Sequence, residues 1–205
     1  MKFLNEIKSL PEDKVSFESE MHHRFLGEYT GMGVPPLLVK VVKFDLTRNV
    51  MASIELLRDE LPYTLDRNIG ACEEWTPINL YSSLLKIIAL LSGRVFVGLP
   101  LSREDKWVGV TVDYTVTLFV AAIALLKYPV WARPLVALFL PECRAINKMN
   151  QEAAALIKPV LRTRLEEMQQ PGYENKKDLI EWAIESSGPG PKNLDEHARV
   201  QLTAS

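Results

Sequence analysis

Histidine and cysteine are scarce in this chain: three histidines and two cysteines occur among 205 residues. Cys72 and Cys143 have no close spacing; they could form a disulfide, but two buried thiols in a reducing compartment are the expectation. His22 and His23 are adjacent, while His197 is remote. Neighbouring histidines point in different directions, so a metal would need outside ligands such as Glu18 or Glu28, and a solvated or hydrogen-bonding pair is the simpler expectation. No metal site is expected. The chain also lacks a G-x-S-x-G elbow, an H-E-x-x-H pair and a Walker loop. Gly27, Gly31 and Gly33 cluster, but they do not follow a strand as a phosphate loop would. Charge of either sign is in no excess, with a net value of −2, and no basic stripe exists. That excludes a nucleic-acid partner recruited by electrostatics. The paired acids Glu73-Glu74, Glu104-Asp105 and Glu166-Glu167 fall at helix ends or polar faces and read as solvated charge. The opening stretch M-K-F-L-N-E-I-K-S-L-P-E-D-K has no long apolar core, so neither a signal peptide nor an anchor is expected there.

What is present is an ordinary globular composition, 47% apolar and 24% charged, enough for one domain over residues 1–205. The most apolar window, residues 108–126, is long enough to be tested as a membrane span. Asp113 near its middle, Tyr114 and three threonines argue for a buried helix instead. A carboxylate in such a helix must be paired or face a cavity. The apolar and aromatic runs at 128–131 and 135–140 would suit grazing contact with a membrane surface.

Periodicity gives a short helix at 2–10, then a long ordered loop at 11–36 with at most a turn of helix, so that 1–36 forms an N-terminal helix and loop before a helical core at 37–205. Helices are expected at 37–48 and 52–67, the second kinked or ended by Pro62. Residues 74–79 alternate and read as one short strand. Residues 80–91 are apolar on nearly every face and read as a central buried helix. Long helices follow at 103–127 and 141–169, the latter bent at Pro159, then short ones at 178–186 and 193–205. The expected class is all-α with minimal strand.

At C-E-E-W-T-P-I-N-L-Y, S-G-R-V-F-V-G-L-P-L and D-K-W the chain resembles fungal microsomal cytochrome P450s of the ent-kaurene oxidase type. Further pieces agree in order: S-L-P-E-D, Y-T-G-M-G, D-L-T-R-N, W-A-R-P-L-V-A-L-F-L-P-E, D-L-I-E-W and H-A-R-V-Q-L-T-A-S. The resemblance implies a partial P450-like helical domain running from the family's B helix to the threshold of helix I. The family's haem thiolate sits in an F-x-x-G-x-x-x-C-x-G loop, and neither Cys72 nor Cys143 has that setting. E-x-x-R occurs at Glu55–Arg58 and Glu196–Arg199, both in the wrong context. No cofactor is therefore expected, and the helices left uncovered should rearrange or pair as a homo-oligomer.

The same resemblance puts the substrate-covering region at the N-terminal loop and the two long helices. Phe17, Met21, Phe25, Met32, Asp113 and Phe119 are the expected binding residues. Tyr29, His23, Tyr114 and Thr117 are the expected catalytic donors. Each apolar residue alone suits core packing; together they suit an apolar chamber for a terpenoid or polyketide. Three roles follow: a cofactor-free cyclase acting on a hydrophobic small molecule, a non-catalytic binder or P450 partner, or an isolated fragment. The expected location is the cytoplasm, with contact at most at the surface of the endoplasmic reticulum.

Overall fold

The computed structural model describes residues 14–72 and 74–187 without a break, together with residues 3, 6, 7, 9–11, 197, 200, 201 and 204. Its regular elements are all helical. Residues 3, 6 and 7 are helical, and the rest of the helix expected at 2–10 falls on turn residues or outside the described residues. Helix α1, Phe17–Arg24, starts where the Ser16 hydroxyl accepts the Ser19 N–H at 3.2 Å, and an exposed Arg24–Glu20 pair one turn apart supports it. Leu26 turns the chain through the left-handed region at φ 52° into α2, Gly27–Thr30. The 11–36 region thus holds two helices where a loop was expected. α1 is mostly polar, so its signal lies in its cap and charge pair and not in apolar periodicity.

Gly27 is buried at this corner, and a Cβ there would overlap Met32 O and the His22 ring. Backbone cannot yield as a flexible side chain can. Gly27→Ala is expected to lower stability by about 1–3 kcal/mol, the usual cost of overpacking, read from the urea midpoint. A midpoint equal to wild type would show that the corner can open.

Helix α3, Pro36–Lys40, begins on a proline suited to a first turn and continues as a π-helical segment, Val41–Leu46. α4, Val50–Asn68, runs through Pro62, so of the two expected outcomes the proline does not end the helix. Residues 74–79 form no strand. Pro77 cannot donate to a ladder, and no strand exists among the described residues to pair with.

α5, Leu80–Phe96, is capped by the Asn79 side chain. After a 3-10 turn at Leu101–Arg103 comes α6, Asp105–Leu126; a second turn, Val130–Ala132, leads into α7, Arg133–Phe139. α8, Pro141–Glu167, contains Pro159, and α9, Leu179–Ser186, is capped by Asp178. Residues 197, 200, 201 and 204 are helical; the rest of the helix expected at 193–205 lies outside the described residues.

The main core lies between α6 and α8. Trp107, Tyr114, Leu118 and Leu125 of α6 form one cluster with Ile146, Ala153, Ile157 and Leu161 of α8. Their helical spacing makes one stripe on each helix, and burying each large side chain contributes about 1.5–3 kcal/mol. α9 adds Ile180 and Ile184 and joins a second cluster with Leu38, Val41 and Val200.

α5 is not buried on every side as expected. Ile87 and Leu90 face inward, while Leu80, Tyr81, Leu84 and Ile88 are exposed. α6 is long and apolar enough to cross a membrane, and 39% of its most apolar stretch is buried inside the fold. Cys143 is buried, but Cys72 is exposed, which corrects the expectation of two buried thiols.

Candidate functional site

The short α1–α2 unit lays its aromatic residues against α6. Thr30 fixes the corner, its hydroxyl donating to Phe25 O at 2.9 Å and accepting from Met32 N–H at 3.3 Å. Phe25, Tyr29 and Met32 then pack against the core cluster that contains Tyr114 and Leu118. The Phe25 ring meets Phe119 edge-on, centroids 5.1 Å apart and planes at 81°, a favourable aromatic geometry. Thr117 is half-buried, one turn along α6 from Tyr114. The structure therefore brings Phe25, Tyr29, Met32, Tyr114 and Phe119 to one seam. Phe17 and His23 are exposed on α1, and Met21 is half-buried there. These three flank the seam without joining its packed part.

Asp113 faces open grooves, one of the settings expected of it, and does not join the seam residues. It is exposed on the outward side of α6, where it lines two grooves that meet at Gly109.

Two ionic clusters were not legible from spacing. Arg164, only 3% exposed, donates twice to Asp178, at 2.9 and 2.8 Å, and lies 3.8 Å from Glu181. Burial opposes its charge, yet the Asp178 hydrogen bonds leave the guanidinium above its ordinary value. Burial also pushes the neighbouring Tyr173 hydroxyl up to about 12. In the second cluster Glu60, 1% exposed, accepts two hydrogen bonds from Arg103 at 2.8 and 2.9 Å, and Arg103 stacks over Tyr63 at 3.8 Å. Both clusters fasten helices together, and neither opens onto a groove with a nucleophile.

These features define an all-α partial domain with an aromatic seam. No family model matches the chain, and no solved structure matches it. Curated relatives do. The chain is 35% identical over 203 residues to the cytochrome P450 monooxygenase ascG of Acremonium egyptiacum, covering 95% of this chain and 38% of that protein. It is 32% identical over 209 residues to BOA4 of Botryotinia fuckeliana, covering 100% of this chain and 42% of that monooxygenase. With ataF of Aspergillus terreus the identity is 36% over 207 residues, covering 97% and 40%. The chain is thus P450-like over nearly its whole length, and it spans about two fifths of the length of the relatives it matches.

A P450 holds its haem iron through a cysteine thiolate. The residues described here do not fit that ligation. Cys143 is 4% exposed within the α6–α8 core, and burial pushes its thiol up, away from the thiolate. The Cys72 thiol is exposed and lies beside the Ile69 and Gly70 carbonyls, outside the F-x-x-G-x-x-x-C-x-G setting. Glu55 and Arg58 are exposed on α4; Glu196 and Arg199 lie outside the described residues. No group of three or more metal-ligating side chains converges among the described residues.

Proposed function

We propose that this protein is a cofactor-free cyclase that folds a hydrophobic terpenoid-type intermediate for an intramolecular Diels–Alder cycloaddition, the kind of step that closes a norbornene ring. The observation that carries this reading is the seam where Phe25, Tyr29 and Met32 meet Tyr114 and Phe119. A cycloaddition moves electrons within the substrate and needs no nucleophile, metal or redox centre. What it needs is one near-attack conformer, and apolar walls of this kind can supply several kcal/mol of orientation. Hydroxyl donors at Tyr29, Tyr114 and Thr117, or the His23 imidazole at the seam's edge, would polarise a carbonyl on the dienophile. Asp113 lies away from this seam, in grooves that none of the seam residues lines, whereas Phe17 and Met21 on α1 would cover a guest seated on it.

The test is incubation of the purified protein with a diene-aldehyde terpenoid and a search for an isomer of unchanged mass. Turnover above the buffer rate is expected, and Tyr29→Phe should lower kcat by about 10²-fold, the cost of one oxyanion-type donor. Conversion no faster than buffer overturns the cyclase reading.

A second reading, a binding protein that pairs with itself or with a full P450, is favoured by α4. This helix buries Ser53, Glu60 and Thr64, while Val50, Ile54, Leu61 and Leu65, on a neighbouring stripe, are exposed. Apolar surface left open in this way marks a contact face. Ile54→Asp with Leu61→Asp is expected to convert an associated species to monomer in sedimentation. Wild-type protein that stays monomeric at high concentration removes this reading. Exposed Val130, Trp131, Leu135, Leu138 and Phe139, with Lys127 and Arg133 among them, support contact with the surface of the endoplasmic reticulum.

A further inference from the structure

Three helices leave a groove of about 330 Å³ between them, on the outward side of α6, away from Tyr114 and the aromatic seam. α5 gives it Leu90, only 1% exposed, and α6 gives Val108 and Val112, so its floor is apolar. Gly109 forms the wall. A Cβ at that position would meet nothing within 4 Å, so no close neighbour requires a glycine there. Glycine inside a helix costs up to about 1 kcal/mol against alanine. What it provides here is space.

The charges at the rim are unequally committed. Arg67 is occupied: its guanidinium pairs with Asp105 and donates to Tyr63 Oη and Arg103 O, both at 3.0 Å. That pairing also neutralises Asp105. Lys86 makes no hydrogen bond or ion pair among the described residues, and it stands one helical turn from Leu90. A free ammonium one turn from a buried leucine fits a ligand with an anionic head and an apolar body. Asp113, on the opposite wall, repels a second anionic group and accepts from a hydroxyl.

We propose that this groove binds a small amphiphilic carboxylate, with the head on Lys86 beside Arg67 and the body on Leu90, Val108 and Val112. Its volume, at the lower end for small-molecule sites, limits the guest to a short chain or a single ring system. The site is independent of the proposed cyclisation and stands or falls separately.

The probe is octanoate, titrated into the 205-residue protein and followed in amide proton–nitrogen NMR spectra. Saturable shifts are expected at Lys86, Leu90, Gly109 and Val112. Lys86→Gln, which breaks no contact within the fold, should weaken binding about tenfold, as expected for losing a hydrogen bond to a charged group. Gly109→Leu fills the space and should abolish binding while leaving the thermal midpoint equal or higher. Octylamine and octanol, with the same tail, should each bind more weakly than octanoate. The proposal is overturned if octanoate gives no saturable shifts, if Gly109→Leu binds it as wild type does, or if octylamine binds at least as tightly.

Discussion

Replacing Arg164 by alanine should lower the stability of the fold by about 3–5 kcal/mol, the usual result of removing one partner from a buried ion pair. Arg164 reaches from α8 to Asp178 at the start of α9, and both side chains are 4% exposed. Removing the guanidinium strands two carboxylates, since Glu181 is equally buried and lies 3.8 Å away. Glu181 then keeps the Lys176 backbone N–H at 2.6 Å, and Asp178 its cap to Glu181 N–H at 3.0 Å, neither of which supplies a positive charge. A typical domain is stable by about 5–15 kcal/mol, so this one change can consume most of the margin. Neutralising both acids together with the cation, as Arg164→Met with Asp178→Asn and Glu181→Gln, should recover at least half of the loss. No buried charge is then unpaired, and the amide oxygen introduced at position 178 still caps α9. Urea unfolding followed by circular dichroism decides the matter. A loss below about 1 kcal/mol for Arg164→Ala, with the slope unchanged, would mean that water reaches the carboxylates.

The long helices were legible because each carries its own evidence in one stretch of chain. The apolar stripe of α8 repeats at helical spacing from Ile146 to Leu161, and the capping carboxylate of α9 immediately precedes it. The Arg164–Asp178 and Arg103–Glu60 pairs were not legible, since partners 14 and 43 residues apart leave no local pattern. α1 was missed for a different reason: its stability rests on Ser16 and a Glu20–Arg24 pair, and periodicity does not report caps. The expectation for α5 failed because an apolar helix shows that neighbours are wanted without showing whether they are there. At the candidate site, the aromatic residues of the Phe25–Met32 stretch and of α6 were singled out together and do meet. His23 and Phe17 were singled out with them, but α1 turns both to solvent. Gly109 carried a readable signal, an isolated glycine inside an apolar helix, whose meaning depended on which side of α6 it occupies.

Trp107 is where core stability and the proposed chemistry share a residue, and truncating it should damage both. The side chain is 0% exposed in the cluster that joins α6 to α8, two turns before Tyr114. Trp107→Ala should cost about 3–5 kcal/mol, from lost transfer energy and the cavity left behind. Trp107→Phe is expected to behave differently. The indole N–H has no hydrogen-bond partner among the described residues, and a buried donor left unmade costs about 1–3 kcal/mol. Phenylalanine removes that donor together with part of the ring, so the two contributions oppose and the net loss should stay within about 1.5 kcal/mol. A loss of 3 kcal/mol or more for Trp107→Phe would show that the indole N–H is bonded after all. The pair of variants also separates packing from chemistry. α6 positions Tyr114 by resting on this indole, so alanine should slow the proposed cyclisation even under conditions where the variant is fully folded. Phenylalanine, which still holds the helix off α8, should leave the rate close to wild type.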